Sequence, residues 1–285
     1  MESIGQNIYI EDKYLGVTLG VISQPRGLVL IDAPPSPEDS RMWRASLMGM
    51  GNGPERLLVN LDSHPDRTLG ARAMDCTVIA HEKTAFAFRN RPNTFKAQGD
   101  ETGANWEAIP GLGSVRWAPP EISFTHQLSL RWGETPILLE SHPGPTRGAV
   151  WAILPEQKIV FVGDAVLKGQ PPFLAHADLP AWIEALGVLQ SEYKGFTVVS
   201  GRGGVVTSQI VKHQADVLKR MRDKLDKLGK KRSAVASADK LAEQMLKDFK
   251  APAARQKQYT QRLRYGIHHY YVRHYQSSSR HVLDE

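Results

Sequence analysis

Residues 57–71 read LLVNLDSHPDRTLGA and place three potential metal ligands directly after a predicted strand. The apolar residues 57–59 are typical of a buried strand. Asp62, His64 and Asp66 occupy alternate positions, and alternate side chains of an extended or tightly turned segment point the same way. Carboxylates and imidazoles held at a rigid strand end suit a metal. This stretch alone leaves open a second interpretation, a polar loop in which an aspartate caps the following helix.

Length and composition indicate one large core, or a core with an additional segment. The chain has 285 residues, 41% of them hydrophobic, and no run approaches the roughly 20 apolar residues that cross a membrane. The first 14 residues include acidic side chains and no apolar run, so we expect no secretory signal and a cytoplasmic protein. The single cysteine, Cys76, excludes an internal disulfide and a cysteine-based zinc site.

The positive charge is concentrated in the last quarter of the chain. The net charge is +6, but residues 208–285 alone hold 18 Lys and Arg against 8 Asp and Glu. These charges alternate in sign as on a solvated helix face, without the glycine and aromatic interleaving of a nucleic-acid-binding segment. We therefore do not expect nucleic acid as a partner, and nucleic-acid processing is only a third hypothesis.

Strands and helices alternate through residues 1–207, and the remainder is purely helical. Strands are predicted at 7–10, 15–19, 27–32, 57–61, 77–80, 121–130, 136–140, 149–154, 158–162 and 196–199. Helices are predicted at 38–50, 68–74, 82–90 and 178–193, and three more follow residue 208. Two groups of strands with interspersed helices describe an α/β sandwich of two sheets.

The C-terminal residues 208–285 are interpreted as a basic helical extension of a core domain spanning residues 1–207. Apolar residues recur at three-to-four spacing, with Gly229 as a helix stop and Pro252 between the last two helices. These apolar stripes could lie on the core or pair with a second copy. We expect a homodimer through these helices, because three helices exceed what covering a sheet edge requires.

Four further pieces of sequence accompany the opening stretch in a fixed order. They are Leu30-Ile31-Asp32, Ser141-His142-Pro143-Gly144-Pro145-Thr146, Phe161-Val162-Gly163-Asp164 and Ser200-Gly201-Arg202-Gly203. Together with Asp62-Ser63-His64-Pro65-Asp66-Arg67, they resemble the metallo-β-lactamase superfamily over residues 5–206. That family carries His-x-His-x-Asp-His, a distant His, a Gly-Asp strand end and a Gly-His-Gly-like turn. The resemblance implies an αββα sandwich with its site along one edge, here followed by a C-terminal helical extension.

The resemblance also implies a metal site, which this sequence preserves in part. The family holds two metals. Carried over residue by residue, the first would be bound by Asp62, His64 and His142, with Asp164 as a fourth ligand. Carboxylates and imidazoles bind zinc, the expected ion here, and also iron or manganese.

The second metal site of the family is closed in this sequence. It would consist of Asp66, Arg67, Arg202 and Asp164, and a protonated arginine has no lone pair for a metal. We therefore expect one divalent metal, or none if the site is inactive. The three aspartates and two arginines of the implied site carry −1 without a metal and +1 with one, so charge does not decide between these states.

The leading hypothesis is a single-metal hydrolase acting on an anionic small-molecule ester, thioester, lactone or phosphoester. Asp66 would orient a water or accept its proton, while Arg67 or Arg202 would hold a carboxylate, phosphate or developing oxyanion. His176 is a further candidate for contacting the substrate, against the simpler interpretation of a loop histidine near the surface. The competing hypothesis is a catalytically inactive protein of this fold that retains a ligand-binding or scaffolding role.

Overall fold

Two mixed β-sheets pack face to face and carry helices on both outer faces. The computed structural model describes residues 1–51, 53–96, 102–230, 236–249 and 251–276. No helix among these residues is long and apolar enough to cross a membrane.

The first sheet has seven strands in the order β1-β2-β3-β4-β5-β6-β7. Their bounds are β1 Glu2–Gly5, β2 Ile8–Glu11, β3 Leu19–Gln24, β4 Gly27–Ile31, β5 Glu55–Val59, β6 Thr77–His81 and β7 Ile122–Phe124. The first four strands are antiparallel, and β4 to β7 are parallel. Ile31 is in register with Val59, so the residues that follow β4 and β5 meet at one edge of the sheet.

The second sheet has six strands in the order β13-β12-β11-β10-β9-β8. Their bounds are β8 Gln127–Leu130, β9 Ile137–Ser141, β10 Val150–Leu154, β11 Ile159–Leu167, β12 Thr197–Arg202 and β13 Val205–Val206. Only β11 and β12 pair in parallel. Strand β11 was predicted to end at residue 162, but it runs to Leu167 and includes Asp164. Its pairing with β12 has an irregularity at Gly163 and then continues.

Seven α-helices complete the described chain. They are α1 Pro37–Ser46, α2 Pro65–Thr68, α3 Glu82–Arg89, α4 Leu179–Ser191, α5 Ser208–Lys230, α6 Ala236–Leu246 and α7 Gln256–Tyr271. Side-chain caps fix several starts: the Ser36 hydroxyl accepts from the Asp39 N–H at 3.0 Å, and the Asp178 carboxylate accepts from the Ala181 N–H at 3.1 Å.

The core lies in three layers, as the expected αββα sandwich requires. Ile22 and Val29 of the first sheet pack against Phe161 of the second, between the sheets. The outer face of the first sheet packs against α1 through Trp43. Burying such side chains stabilises the fold by about 1.5–3 kcal/mol each. The expected fold class, including the helical C-terminal region, is confirmed.

The C-terminal helices share one apolar cluster with the outer face of the second sheet. This cluster contains Trp151 of β10 and Trp182 of α4, and it continues through Leu218, Met245 and Ile267 of the last three helices. The apolar stripes of α5 to α7 therefore lie on the chain's own core. Pairing of these helices with a second copy stays a prediction.

Several local predictions differ from the structure. The single strand predicted at 121–130 is wrong, because the chain leaves the first sheet after β7 and enters the second sheet as β8. The strand predicted at 15–19 is wrong, because Gly16 has a φ of 81°, a left-handed turn conformation, and the strand begins at Leu19. The helix predicted at 68–74 is instead α2 followed by a 3-10 turn over Ala71–Met74. Gly229 does not stop α5, which runs to Lys230.

Candidate metal centre and adjoining cavity

Polar residues at the ends of β4 and β5 meet Asp164 of β11 at one edge of the sandwich. Asp32 directly follows β4, with a left-handed φ of 59°. Its Oδ1 accepts a hydrogen bond of 2.9 Å from the Leu61 N–H, which ties the segment after β5 to the end of β4. The neighbouring strand ends therefore fix the backbone that carries Asp62 and His64.

Asp62, His64 and Asp164 form a buried triad with ligand atoms within 4.8 Å of one another. His64 Nδ1 lies 3.2 Å from Asp62 Oδ2 and 3.1 Å from Asp164 Oδ2. Two ligands on a tetrahedral zinc with bonds of about 2.0 Å stand about 3.3 Å apart. The donor types and the two distances to His64 therefore fit one ion of that size.

Arg67 is a fully buried guanidinium that contacts three carboxylates. Its Nη1 donates to Asp32 Oδ2 at 2.5 Å, its Nε lies 3.0 Å from Asp62 Oδ1, and its Nη2 donates to Asp164 Oδ1. Burial alone would lower the pKa of Arg67, but these carboxylates raise it well above its ordinary value. The Arg67 guanidinium is therefore always charged, and each of its ion pairs is with an aspartate.

Arg202 occupies the other side of Asp164 and links it to Asp66. Its Nε and Nη2 each lie 3.0 Å from an Asp164 oxygen, and Nη2 donates to Asp66 Oδ2 at 2.9 Å. Asp66 Oδ1 accepts a hydrogen bond of 2.9 Å from the Trp106 N–H. The residues that the family resemblance assigns to a second metal are thus joined by ion pairs.

Gly201 makes this close packing possible. A Cβ atom at this position would stand 2.7 Å from Arg67 Nη2 and 2.8 Å from Asp164 Oδ1. Any larger residue would push apart a buried ion pair. The glycine is therefore part of the site's construction.

The ionisable groups of the site accommodate either a proton or a metal. Three carboxylates and two guanidiniums give −1, with His64 neutral; they are Asp62, Asp66, Asp164, Arg67 and Arg202. Burial raises the pKa of Asp32 to about 7, so this fourth carboxylate adds between zero and one negative charge near pH 7. Burial acts to lower the pKa of His64, but Asp62 and Asp164 raise it to about 9. A protonated His64 brings the total to between 0 and −1, and one divalent ion on a neutral His64 brings it to between +1 and 0. Proton and metal therefore compete for the same nitrogen.

His142, the remaining predicted ligand, lies outside the triad. Its ring is stacked on Trp151 with centroids 3.7 Å apart, and its Nε2 lies 3.3 Å from Glu140 Oε2. Burial lowers the pKa of His142, so the ring is neutral near pH 7. Its role as a ligand stays a prediction.

A cavity of about 130 Å³ lies beside the triad. Its polar lining includes His64, Asp66, Arg91, His176 and Arg262, and its aromatic lining includes Trp106, Phe173 and Tyr265. His176 was predicted as a substrate contact, and the structure brings it to this lining. Burial and the nearby positive charges lower its pKa to about 4, so it is neutral near pH 7.

Three charged residues of the site and cavity were not among the predicted site residues. Asp32 had a signal, since its strand end matched the family pattern. Arg91 and Arg262 had no such signal in the sequence. Arg91 reaches the cavity from the segment after α3 and Arg262 from α7, through packing that no local pattern encodes.

The chain belongs to the metallo-beta-lactamase superfamily, whose model matches residues 15–222. A metallo-beta-lactamase from Pontibacter korlensis is 22% identical with a TM-score of 0.61, over 76% of this chain and 97% of that one. The DIM-1 metallo-beta-lactamase is 17% identical with a TM-score of 0.59, over 77% and 96%.

A likeness to a sulfatase extends further along the chain. The sec-alkyl sulfatase PisA1, solved as a double mutant, is 15% identical with a TM-score of 0.66, over 97% of this chain and 51% of that one. At these identities the likeness concerns the fold. Comparison with curated protein sequences gave no match.

Proposed function

We propose that the protein is a hydrolase with a single divalent metal, acting on an anionic small-molecule ester, thioester, lactone or phosphoester. The observation that supports it is the buried triad of Asp62, His64 and Asp164, whose spacing suits one ion. Zinc is the favoured ion for this donor set, with iron or manganese as alternatives. When bound, the ion would supply a water of lowered pKa.

Arg67 and Arg202 are both buried and differ in whether a donor remains without a partner. Arg67 is fully buried among carboxylates, so it positions Asp62 and Asp164 and acts on a substrate only through them. Arg202 Nη1 makes no hydrogen bond to any described residue. We propose that this donor holds the substrate's anionic group or a developing oxyanion.

Asp66 and His176 complete the proposed machinery from the cavity wall. Each Asp66 oxygen accepts one hydrogen bond, and an ionised carboxylate has further lone pairs. Asp66 can therefore orient a water or accept its proton. The neutral His176 can contact the substrate. His142 would add a fourth ligand if its ring left the stack on Trp151.

Hydrolysis assays test this proposal with a panel of nitrophenyl esters, thioesters, lactones and phosphate monoesters, with each carbon-centred substrate carrying a carboxylate. We expect turnover by zinc-loaded protein, none after EDTA treatment, and a loss of about 100-fold or more in His64→Ala. The control is His126→Ala, which removes an exposed histidine. Turnover that is unaffected by both EDTA and His64→Ala would contradict the proposal.

One observation favours a catalytically inactive protein with a ligand-binding or scaffolding role. Every carboxylate of the site is already paired with a guanidinium: Asp32 and Asp62 with Arg67, Asp66 with Arg202, and Asp164 with both. The cluster is thus held together by its own charges. This candidate predicts that no metal produces turnover of any compound, while ligands still bind the cavity.

A homodimer and a cytoplasmic location also remain proposals. The apolar stripes of the last three helices are buried within the chain, so a dimer would use other faces of those helices. Light scattering tests it: we expect the mass of two chains, and the mass of one chain would contradict it.

A further inference from the structure

Two arginines outside the triad and its ion pairs line the same cavity. Arg262 comes from α7 and Arg91 follows α3. Arg262 is 1% exposed, and Arg91 is half-buried. Within the described part of the chain, no carboxylate lies at ion-pair distance from either guanidinium.

Neutral oxygens hold Arg262 in place. Its Nε donates to Gly103 O at 3.0 Å, its Nη2 to Asn105 Oδ1 at 2.9 Å, and its Nη1 to Gln170 Oε1 at 2.9 Å and Pro171 O at 3.2 Å. These bonds fix the guanidinium without neutralising it. Burying a charge without a counter-charge is costly, so an anionic ligand in the cavity would reduce this cost.

The cavity lining has a surplus of positive charge. Within the described ranges, Asp66 is the acidic member of this lining, and its carboxylate is already paired with Arg202. Arg91 donates to the Ser63 carbonyl at 3.2 Å, another neutral acceptor. Among the described residues, the two arginines therefore have no carboxylate partner of their own, and both line one small space.

An aromatic ring joins this cationic side to the triad. The Phe173 ring centroid lies 4.0 Å from the Arg262 guanidinium carbon, 4.4 Å from that of Arg202, and 5.3 Å from the His64 ring centroid. Stacking on an aromatic face holds a guanidinium in a fixed plane. Trp106 also lines the space, so an anionic subsite and an apolar subsite adjoin.

We propose that Arg262 and Arg91 recognise the anionic group of the ligand, either a carboxylate or a sulfate or phosphate monoester group, on a small apolar or aromatic body. Arg262 already uses four of its five N–H groups on neutral oxygens, so it offers its charge and the remaining Nη2 N–H to an oxyanion. Arg91 donates one N–H to the Ser63 carbonyl and has further donors for the same group. A cavity of about 150 Å³ holds benzene, which sets the scale of that body. This inference rests on the proposed function, whose substrate class it names. It also makes α7 of the C-terminal extension a wall of the site.

Calorimetry on EDTA-treated full-length protein tests this with benzoate, its neutral counterpart benzamide, and inorganic phosphate. We expect benzoate to bind at least about tenfold more tightly than benzamide. Arg262→Gln and Arg91→Met should each weaken benzoate binding about tenfold and leave benzamide unchanged. The control Arg222→Met, which removes an arginine paired with its neighbour Asp223 on α5, should change neither.

The test remains decisive if Arg262→Gln fails to fold. Arg91 is half-buried and holds one backbone carbonyl, so Arg91→Met tests the charge without altering α7. Equal binding of benzoate and benzamide, no benzoate binding, or an unchanged benzoate affinity in Arg91→Met would overturn the proposal. Phosphate binding without benzoate binding would overturn the apolar subsite. The calorimetry is done without metal, so its result does not depend on hydrolysis. If the anion binds but no metal produces turnover, the proposed hydrolase is contradicted and the anion site is not.

Discussion

Replacing Arg67 with alanine removes the arginine that three buried carboxylates share. Asp164 keeps Arg202, whereas Asp32 and Asp62 lose their guanidinium partner. Breaking a buried ion pair costs about 3–5 kcal/mol, because a charge is left without compensation. Since two carboxylates are affected, we expect Arg67→Ala to lower the free energy of unfolding by about 4–5 kcal/mol at pH 7. That loss is about a quarter or more of the stability of an ordinary domain.

Urea unfolding in the presence of EDTA, followed by tryptophan fluorescence, measures this loss. The control is Arg44→Ala, which breaks an ion pair of 3.0 Å whose side chains are 47% and 83% exposed. Exposed pairs contribute about 1 kcal/mol or less, so the control should remain close to wild type. Arg67→Lys should lie between the two, since one ammonium cannot replace a fork that reaches three carboxylates.

A pH series adds an independent readout for Arg67→Ala. Carboxylates without their arginine take up protons more readily, so the stability deficit should shrink as the pH falls from 7 to 5. A deficit below about 1 kcal/mol at pH 7, no larger than that of Arg44→Ala, would refute the view that Arg67 holds the carboxylates together.

Three further predictions concern the site and its surroundings. Gly201→Ala should destabilise the protein by about 1–3 kcal/mol in urea unfolding, because the alanine Cβ would stand 2.6 Å from the Gly163 backbone. A variant as stable as the wild type would contradict the close packing. The folded-state pKa of His64, about 9, exceeds the ordinary value of 6.5. Its stabilisation, up to about 3 kcal/mol, should therefore be complete below pH 6.5 and lost as the pH rises through 9. The stability gap between metal-free wild type and His64→Gln should close over that range, and a constant gap would contradict this. Burial and acidic neighbours raise the pKa of the Cys76 thiol to about 11. Alkylation of Cys76 should therefore be slow at pH 8, and its rate should rise about tenfold per pH unit. An alkylation rate that levels off near pH 9 would contradict this.

The sandwich could be predicted because many of its strands have a recognisable local sequence pattern. Residues 27–31, 77–81 and 150–154 are short apolar runs bounded by turns, which is the pattern of buried strands. The ordered set of strand-end motifs then indicated how the two sheets are arranged. The error at residues 15–19 came from Gly16, whose left-handed φ ends the apolar pattern as a turn.

The candidate site could be predicted only where its residues follow strands. Asp62, His64 and Asp164 were predicted together, and the structure brings them together, because strand ends at one edge converge. His142 sits on Trp151, and that stacking depends on how β9 and β10 pack rather than on the sequence around His142. Arg262 could not be placed, since its contacts to Gly103 and Asn105 join residues more than 150 positions apart.

Metal stoichiometry tests the central claim, that the triad suits one ion while Arg67 and Arg202 occupy the place of a second. Zinc is titrated into EDTA-treated, dialysed protein at pH 7.5, and bound metal per chain is measured by calorimetry and elemental analysis. We predict one ion per chain in the wild type and none in His64→Ala. Two ions per chain, or one ion that persists in His64→Ala, would contradict the claim.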